Sequence, residues 1–402
     1  MTMSLPNPAP PQGTAITETI TTVVQDADGY TIVGPFARNV QITLSTNTPA
    51  LSIDVNGQAG ELLQSSSDVA KLAYNGKGVD SATVEANLQA AASGTYIATA
   101  SFAPAPTFGS ETTFAGSFAG SHLAIGNNAY AITQASPAQL IYGTIGGTPS
   151  TLAIPSGNAP VFVWMTPLEL DFSEAGAVGW AYYAGPSAGA IFEYTTPAAG
   201  ISCLTAFDGL DHMWFMESAA AKLAYTDIGG NFTQYPVGIA GAQPSACTFG
   251  FNTYVWYSDP GTNAFGYFNE STDTFTELPI PTAGANPGDI TTVDSAQQGP
   301  QMWFLERGGQ KIGIYSLQTA GITEFSLGSS PVRMVGGNNA PYVWVLLANG
   351  NLQRIDEVAH TVTNITVPSS ANGPIVDLVD DGVELNLIRG DATHASFQQY
   401  FY

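Results

Sequence analysis

Three carboxylates recur at one fixed offset. Glu217, Asp259 and Glu306 each stand three residues after a tryptophan. Asp289 and Arg333 share a second offset, two residues after a proline. Gathered at one place, Glu217, Asp259, Asp289 and Glu306 would make an oxygen cluster for a hard divalent cation such as Ca2+ or Mg2+. The competing reading is that each acid ends a strand and satisfies turn backbone. Arg333 has two roles open to it, an ion pair with Asp289 or a grip on a ligand carboxylate. Trp180, Tyr182 and Tyr183 fall out of phase with the other aromatics and read as candidates for an exposed contact, for instance with sugar rings. The chain has no Gly-rich phosphate loop, no C-x-x-C pair and no H-E-x-x-H helix.

The offsets belong to a repeat. Met302 to Phe325 reads MWFLERGGQKIGIYSLQTAGITEF, and Met213 to Tyr235 reads MWFMESAAAKLAYTDIGGNFTQY. Val255 to Leu278 and Val343 to Ile365 keep the same order of apolar strands and polar turns. Trp214, Trp256, Trp303 and Trp344 lie 42, 47 and 41 residues apart by subtraction. Pro244, Pro287, Pro331 and Pro374 run in phase with them. A period in the low forties with about four short strands per unit is that of a β-propeller blade. Blade starts near Phe118, Pro160, Gly200, Pro244, Pro287, Pro331 and Pro374 predict seven blades over residues 104–402. The last segment is too short for four strands, so a strand from Phe108 to Phe118 must complete it. Pro167 to Val178 reads as an insertion in blade two, the kind of loop that carries binding function. The recurring tryptophans read as core between blades.

The wording of the repeat resembles a known family. Trp303, Phe304, Glu306, Lys311, Ile312, Gly313 and Ile322 to Phe325 look like the seven-bladed streptogramin B lyase (virginiamycin B lyase) propellers. Trp214, Phe215, Glu217, Lys222 and Leu223 repeat the pattern. The resemblance spans roughly residues 106–402. It implies a site at the channel mouth, with a histidine beside the blade-opening proline, further His and Glu residues, and bound magnesium. Those groups would remove a proton next to a carbonyl and expel an ester oxygen. Here Ser245, Gly288, Val332 and Ile375 occupy the histidine position, and His122, His212, His360 and His394 lie elsewhere. No catalytic residue is carried over, and the expectation leans away from an enzyme.

Composition narrows the partners. Charged residues make up only 10% of the 402, and 32 acids against 9 bases give a formal charge of −23. That balance argues against nucleic acid and anionic membranes as partners. No apolar run is long enough to span a bilayer. The first residues, MTMSLPNPAPPQG, lack the charged and apolar regions of a signal peptide. The Thr-, Ser- and Gly-rich composition suggests an extracellular or cell-surface protein all the same. Cys203 and Cys247 hold one repeat position, which Ile290 and Met334 fill in later blades. The simpler reading is two buried apolar residues. The sharper one is a disulfide between adjacent inner strands, which spacing alone does not decide.

Ahead of the propeller, residues 1–14 read as a mobile Pro-rich leader and residues 15–103 as an immunoglobulin-like β-sandwich. Val40 to Leu44, Leu51 to Val55, Val69 to Tyr74 and an alternating run from Ala82 to Gln89 are its candidate strands. The Ser93-Gly94 turn leads to another from Thr95 to Phe102. Asp26-Ala-Asp28-Gly29 reads as a calcium loop or, more simply, a tight turn. The whole chain is thus expected to be all-β, a sandwich followed by a seven-bladed propeller. A non-catalytic binding or structural role with a glycan or protein ligand fits best. A metal-dependent lyase or hydrolase and a self-associating assembly subunit are the alternatives.

Overall fold

The computed structural model describes the chain except for residues 47–48, 60–61, 78–80, 90–95, 119, 127, 206–211, 296 and 337–341. The chain divides into two compact units. One holds Met1–Ser110 with Val383–Leu385 and Gln399–Tyr402, the other Glu111–Gly382 with Asn386–Gln398. Among the described residues the only helix is two single turns, Ser218–Ala220 and Phe251–Thr253.

The second unit is the propeller. Its inner strands are Leu123–Gly126, Phe162–Met165, Ile201–Thr205, Ala246–Gly250, Pro287–Ser295, Pro331–Gly336 and Ile375–Asp380. Each lies beside the next and the last lies beside the first, so seven blades close a ring. Blades one to six are four consecutive antiparallel strands. Blade seven has three of its own and takes Thr112–Ala115 as a further strand, paired with His394 to Phe397. This is the closure that the short last segment requires.

The repeat's wording follows from burial on both faces. Along Met213–Glu217, Met213 and Phe215 pack with Val178 and Trp180 of blade two. Trp214 and Met216 point the other way, onto Val255 and Tyr257 of blade four. A strand covered on both sides reads as a continuous apolar run instead of an alternating one. Trp256 meets Met302 and Phe304 of blade five, and Trp303 meets Val343 and Val345 of blade six. The tryptophans are interblade core, as their phase predicts.

The expected insertion in blade two is not one. Glu169–Ser173 and Ala177–Tyr182 are its second and third strands. Trp180 is out of phase because it stands on the third strand, opposite Asp171 of the second, and the eight residues from Tyr183 to Ala190 then link that strand to Ile191–Thr195.

The first unit is a sandwich of two antiparallel sheets. One has the order Thr2–Ser4, Ile16–Val23, Ala70–Tyr74, Leu51–Val55, Gln58–Ala59. The other runs Leu62–Ser65, Pro35–Ser45, Ala82–Leu88, Ile97–Phe102. Ile20, Leu51, Leu72 and Tyr74 from the first sheet share one core with Val40, Ile42, Val84 and Phe102 from the second. The Ser93-Gly94 turn lies outside the described residues. The leader is held, not free. Thr2–Ser4 pairs with Thr21 to Val23, and the carbonyls of Pro8 and Pro10 accept from Ala103 and Ala105. Prolines lack an N–H but keep a carbonyl, so a Pro-rich segment can still dock as an acceptor edge. Asp26 is a turn residue: its Oδ1 accepts the amides of Asp28 and Tyr30 at 3.0 and 2.9 Å.

Cys203 and Cys247 form a disulfide between the inner strands of blades three and four. The simpler reading, two unlinked apolar residues, is displaced, although both still pack in the core there. The bridge spans 44 residues, a loop for which chain entropy gives about 4 kcal/mol. Reduction, or Cys203→Ala with Cys247→Ala, is expected to lower the thermal midpoint of the propeller. An unchanged midpoint under reducing conditions would show that the bridge contributes nothing.

Candidate functional site

The inner strands start at one end of the channel, and several start irregularly. The pairing register shifts between Ile201 and Cys203, between Pro287 and Ile290, and between Pro331 and Arg333. A bulge near the start of an inner strand re-aims the side chains beside it. In blade five the irregular stretch holds Asp289, and in blade six Arg333 is the first residue paired after it.

They belong to a chain of charges across four blades. Arg307 Nη2 lies 3.2 Å from Asp289 Oδ1, and Arg333 Nη1 lies 3.7 Å from the same oxygen. Arg333 Nε is 3.4 Å from Asp377 Oδ1. Asp377 Oδ2 stands 3.7 Å from His122 Nε2. Backbone fixes the acids, since Asp289 Oδ2 accepts the Met334 amide at 3.0 Å and Asp377 Oδ2 that of Leu123 at 2.8 Å. Arg307 also donates to the Val332 carbonyl. It lies flat against Gly288, where a Cβ would come within 2.5 Å of its Nε. Any larger residue at 288 would displace it.

The electrostatics are balanced. Asp377, then Asp289, hold the Arg333 guanidinium firmly charged. Burial pushes His122 down, toward the neutral imidazole, against the pull of Asp377. Two guanidinium groups therefore face two carboxylates and a neutral ring, which packs edge-on to Phe162 of blade two at 5.2 Å. Among the described residues of blades three and four, Ser202 and Ser245 bring hydroxyls to this end. Ser202 Oγ donates to the Pro244 carbonyl, and Ser245 shares a hydrogen bond with Ser258. The mouth is charged on one side and small and polar on the other.

The acids three residues after each tryptophan do other work. Glu217, Asp259 and Glu306 end the second strands of blades three, four and five, fully buried. Glu217 Oε1 accepts the Ala198 amide at 2.8 Å, and Asp259 Oδ1 accepts the Gln243 amide at 2.8 Å. Both amides belong to the link entering the blade, so the acid clasps that link to the sheet. Two residues before the acid, the Phe304 ring lies over Gly313, where a Cβ would meet it at 2.1 Å. This close approach explains the glycine of the K-I-G wording. Opposite Gly313, Glu324 takes the Thr282 amide and the Lys311 ammonium at 3.0 and 2.9 Å.

The sequence profile of the virginiamycin B lyase family matches residues 168–382. The chain belongs to this family. Among solved structures it is similar to a streptogramin B lyase at 19% identity, covering 71% of this chain and 97% of that one, with a TM-score of 0.59. It is similar to the selenomethionine form of virginiamycin B lyase from Staphylococcus aureus, at 20% identity over 73% of this chain and 99% of that one, with a TM-score of 0.60. A catalytically inactive histidine-to-alanine variant of the S. aureus enzyme, with quinupristin, gives 19% identity, 74% and 100% coverage and a TM-score of 0.63. At these identities the likeness is one of fold. No curated protein matches the chain.

Within this lyase-family propeller the expected cation cluster does not form. Glu217, Asp259 and Glu306 lie in three separate blades, the first two holding link amides, and Asp289 is held by the two arginines. Among the described residues no three His, Cys, Asp or Glu side chains gather to hold a metal. Arg333 takes the ion-pair role. Trp180 is not an exposed contact either: it is 5% exposed and packs against Tyr194. Tyr182 and Tyr183 are half-buried, and the Tyr183 hydroxyl donates to the Thr166 carbonyl at 2.7 Å. The exposed indole of blade two is Trp164, on the inner strand. Gly185 to Gly189 spells G-x-S-x-G, but it joins two antiparallel strands and not a strand to a helix, so it is no nucleophile elbow. His122, Arg307 and Asp377 are the mouth residues that spacing missed. Arg307 carried a signal, as one of only five arginines and the neighbour of Glu306.

Burial, with Glu324 beside it, pushes the Glu306 carboxyl up from 4.5 to about 7. The folded chain then binds a proton that the unfolded chain has lost, so the stability this group confers is present below pH 4.5 and fades as pH rises toward 7. Glu306→Gln is expected to flatten the fall in thermal midpoint across that window; equal slopes in the two proteins would disprove the assignment. A second comparison concerns the arginines. Asp377 is 6% and Arg333 26% exposed, so Arg333→Ala should cost about 3 kcal/mol by leaving the Asp377 carboxylate without its guanidinium. Arg307→Ala, at the rim, should cost less than about 1 kcal/mol. Denaturant titration of both variants checks the order.

Proposed function

We propose that this chain is a non-catalytic binding protein, secreted or displayed on a surface, that uses the channel mouth of a lyase-type propeller to hold a glycan or protein ligand. The observation that carries this reading is the mutual engagement of the charged groups at the mouth. Proton abstraction next to a carbonyl needs a base free to reach the substrate. His122 instead has Asp377 beside its Nε2 and Phe162 across its ring. A fixed, electroneutral set of donors and acceptors suits a polar ligand bound without reaction. The Arg307 side chain, 36% exposed, is the group best placed to meet it.

The disulfide supports an oxidising compartment, and the low Lys and Arg content agrees with an extracellular site. The strand order of the first unit supports an immunoglobulin-like module, with the Thr2–Ser4 strand at the edge of one sheet. An assembly role through residues 1–14 has less support, because that segment is already paired within its own unit.

The rival reading is a lyase in which His122 acts as base, and the neighbouring Asp377 carboxylate favours it. Quinupristin, the ligand named with the inactive S. aureus variant, separates the two. Incubation with magnesium followed by mass spectrometry should show the compound intact. A ring-opened product that disappears with His122→Ala would replace the binding reading by the enzymatic one.

A further inference from the structure

The propeller contains its own comparison. In blades three, four and five, the acid that ends the second strand pairs in register with the first residue of the third strand. These pairs are Glu217 with Lys222, Asp259 with Ala264, and Glu306 with Lys311. Two residues on, the third strand faces an outer-strand polar group, which is Gln234, Glu277 and Glu324 in turn. The same three positions therefore recur with different charges.

In blade three the set is neutral. Lys222 donates to Gln234 at 3.0 Å, and Gln234 donates to Glu217. In blade five Lys311 reaches Glu324 at 2.9 Å and the Thr282 hydroxyl at 2.7 Å. Blade four has the two acids and no lysine. Asp259 and Glu277 face each other, and Ala264 stands where the ammonium would originate.

Two further atoms point into this place. Asp259 is fully buried, and while its Oδ1 takes amides from Gln243, Gly261 and Thr262, its Oδ2 has no partner. The Thr262 hydroxyl oxygen is likewise buried without a partner, close to Glu277. On the far side Tyr257 donates its hydroxyl to Glu277 Oε1 at 3.3 Å. Two carboxylates and a hydroxyl, all oxygen and poor in compensating donors, are the chemistry of a hard cation.

We propose that a divalent metal cation of the calcium type takes the place of the missing lysine in blade four, held by Asp259, Glu277 and the Thr262 hydroxyl with water completing its shell. Without it, burial and the neighbouring acid raise the Glu277 carboxyl above its ordinary range, the cost of two like charges in one buried place. The cation removes that cost and stitches the second and outer strands of the blade together, as Lys222 and Lys311 do in the blades on either side. Blade two also has alanine at the lysine position, Ala177, and Glu174 Oε1 there is buried without a partner, but Ser156 bridges the two acids by donating its hydroxyl to Glu174 and its amide to Glu193. This cation is not at the channel mouth, and it does not depend on what the mouth binds.

The full-length protein, stripped with a chelator, tests this by calorimetric titration with Ca2+ and by thermal denaturation with and without it. One calcium should bind, with a rise in midpoint. Ala264→Lys supplies the ammonium from within, so it should lose that calcium site and show, in chelator, the midpoint of the calcium-loaded parent. Glu277→Gln should also lose the site and decides the matter if the lysine variant does not fold. The proposal is overturned if the parent takes up no calcium at millimolar concentration, or if binding is undiminished in both variants.

Discussion

Every blade of this propeller is buried on both faces, and most other features follow from that constraint. A sheet with one wet face can alternate apolar and polar residues. A sheet pressed between two neighbours cannot, so its second strand reads Met-Trp-Phe-Met and its partners pack to left and right in turn. No single blade is stable alone, because both of its apolar faces would meet water. Closure is therefore compulsory, and Thr112–Ala115 completes blade seven because an open ring would leave both an apolar face and a strand edge exposed.

Double burial also dictates how the polar ends of the strands are handled. A link leaving one blade for the next carries amides into a crowded place where water cannot serve all of them. The acid at the end of the second strand answers this in blade after blade, with Glu217 taking Ala198 and Asp259 taking Gln243. The same burial makes Glu306 costly to ionise. The position paired with the acid carries a lysine in blades three and five, and in blade four, as proposed, a metal ion takes the place of that lysine. The family wording is thus a description of packing. Its phenylalanine lies over a glycine and its glutamate clasps a loop, and neither requires that the propeller do chemistry.

The channel mouth is where blades are free to differ, since only its rim escapes the packing rule. Here two of the nine Lys and Arg residues, Arg307 and Arg333, form a belt with His122, and the acids between them are anchored by backbone amides. A belt of this kind holds the first strands of four blades in fixed relation. It also leaves a rim whose hydrogen-bonding pattern is set before any ligand arrives.

By itself the sequence determined the architecture. The phase of Trp214, Trp256, Trp303 and Trp344 counts blades, because a β-strand repeat constrains residues close in sequence, and the short last segment implied its borrowed strand. It also marked Asp289 and Arg333 as neighbours in space, since equal offsets in successive repeats fall side by side. Only the tertiary structure decided which charges meet. Asp377 and His122 lie at opposite ends of the propeller's sequence and touch because the ring closes, an event no local pattern records. The same holds for Trp180, whose phase hinted at exposure while the next blade buries it, and for the leader, whose prolines accept hydrogen bonds from a strand end some ninety residues away. The cysteines stand between the two cases: their shared repeat position put them side by side, and the approach of two inner strands joined them. Periodicity specifies neighbours one repeat apart; contacts across the ring depend on the summed geometry of all seven blades.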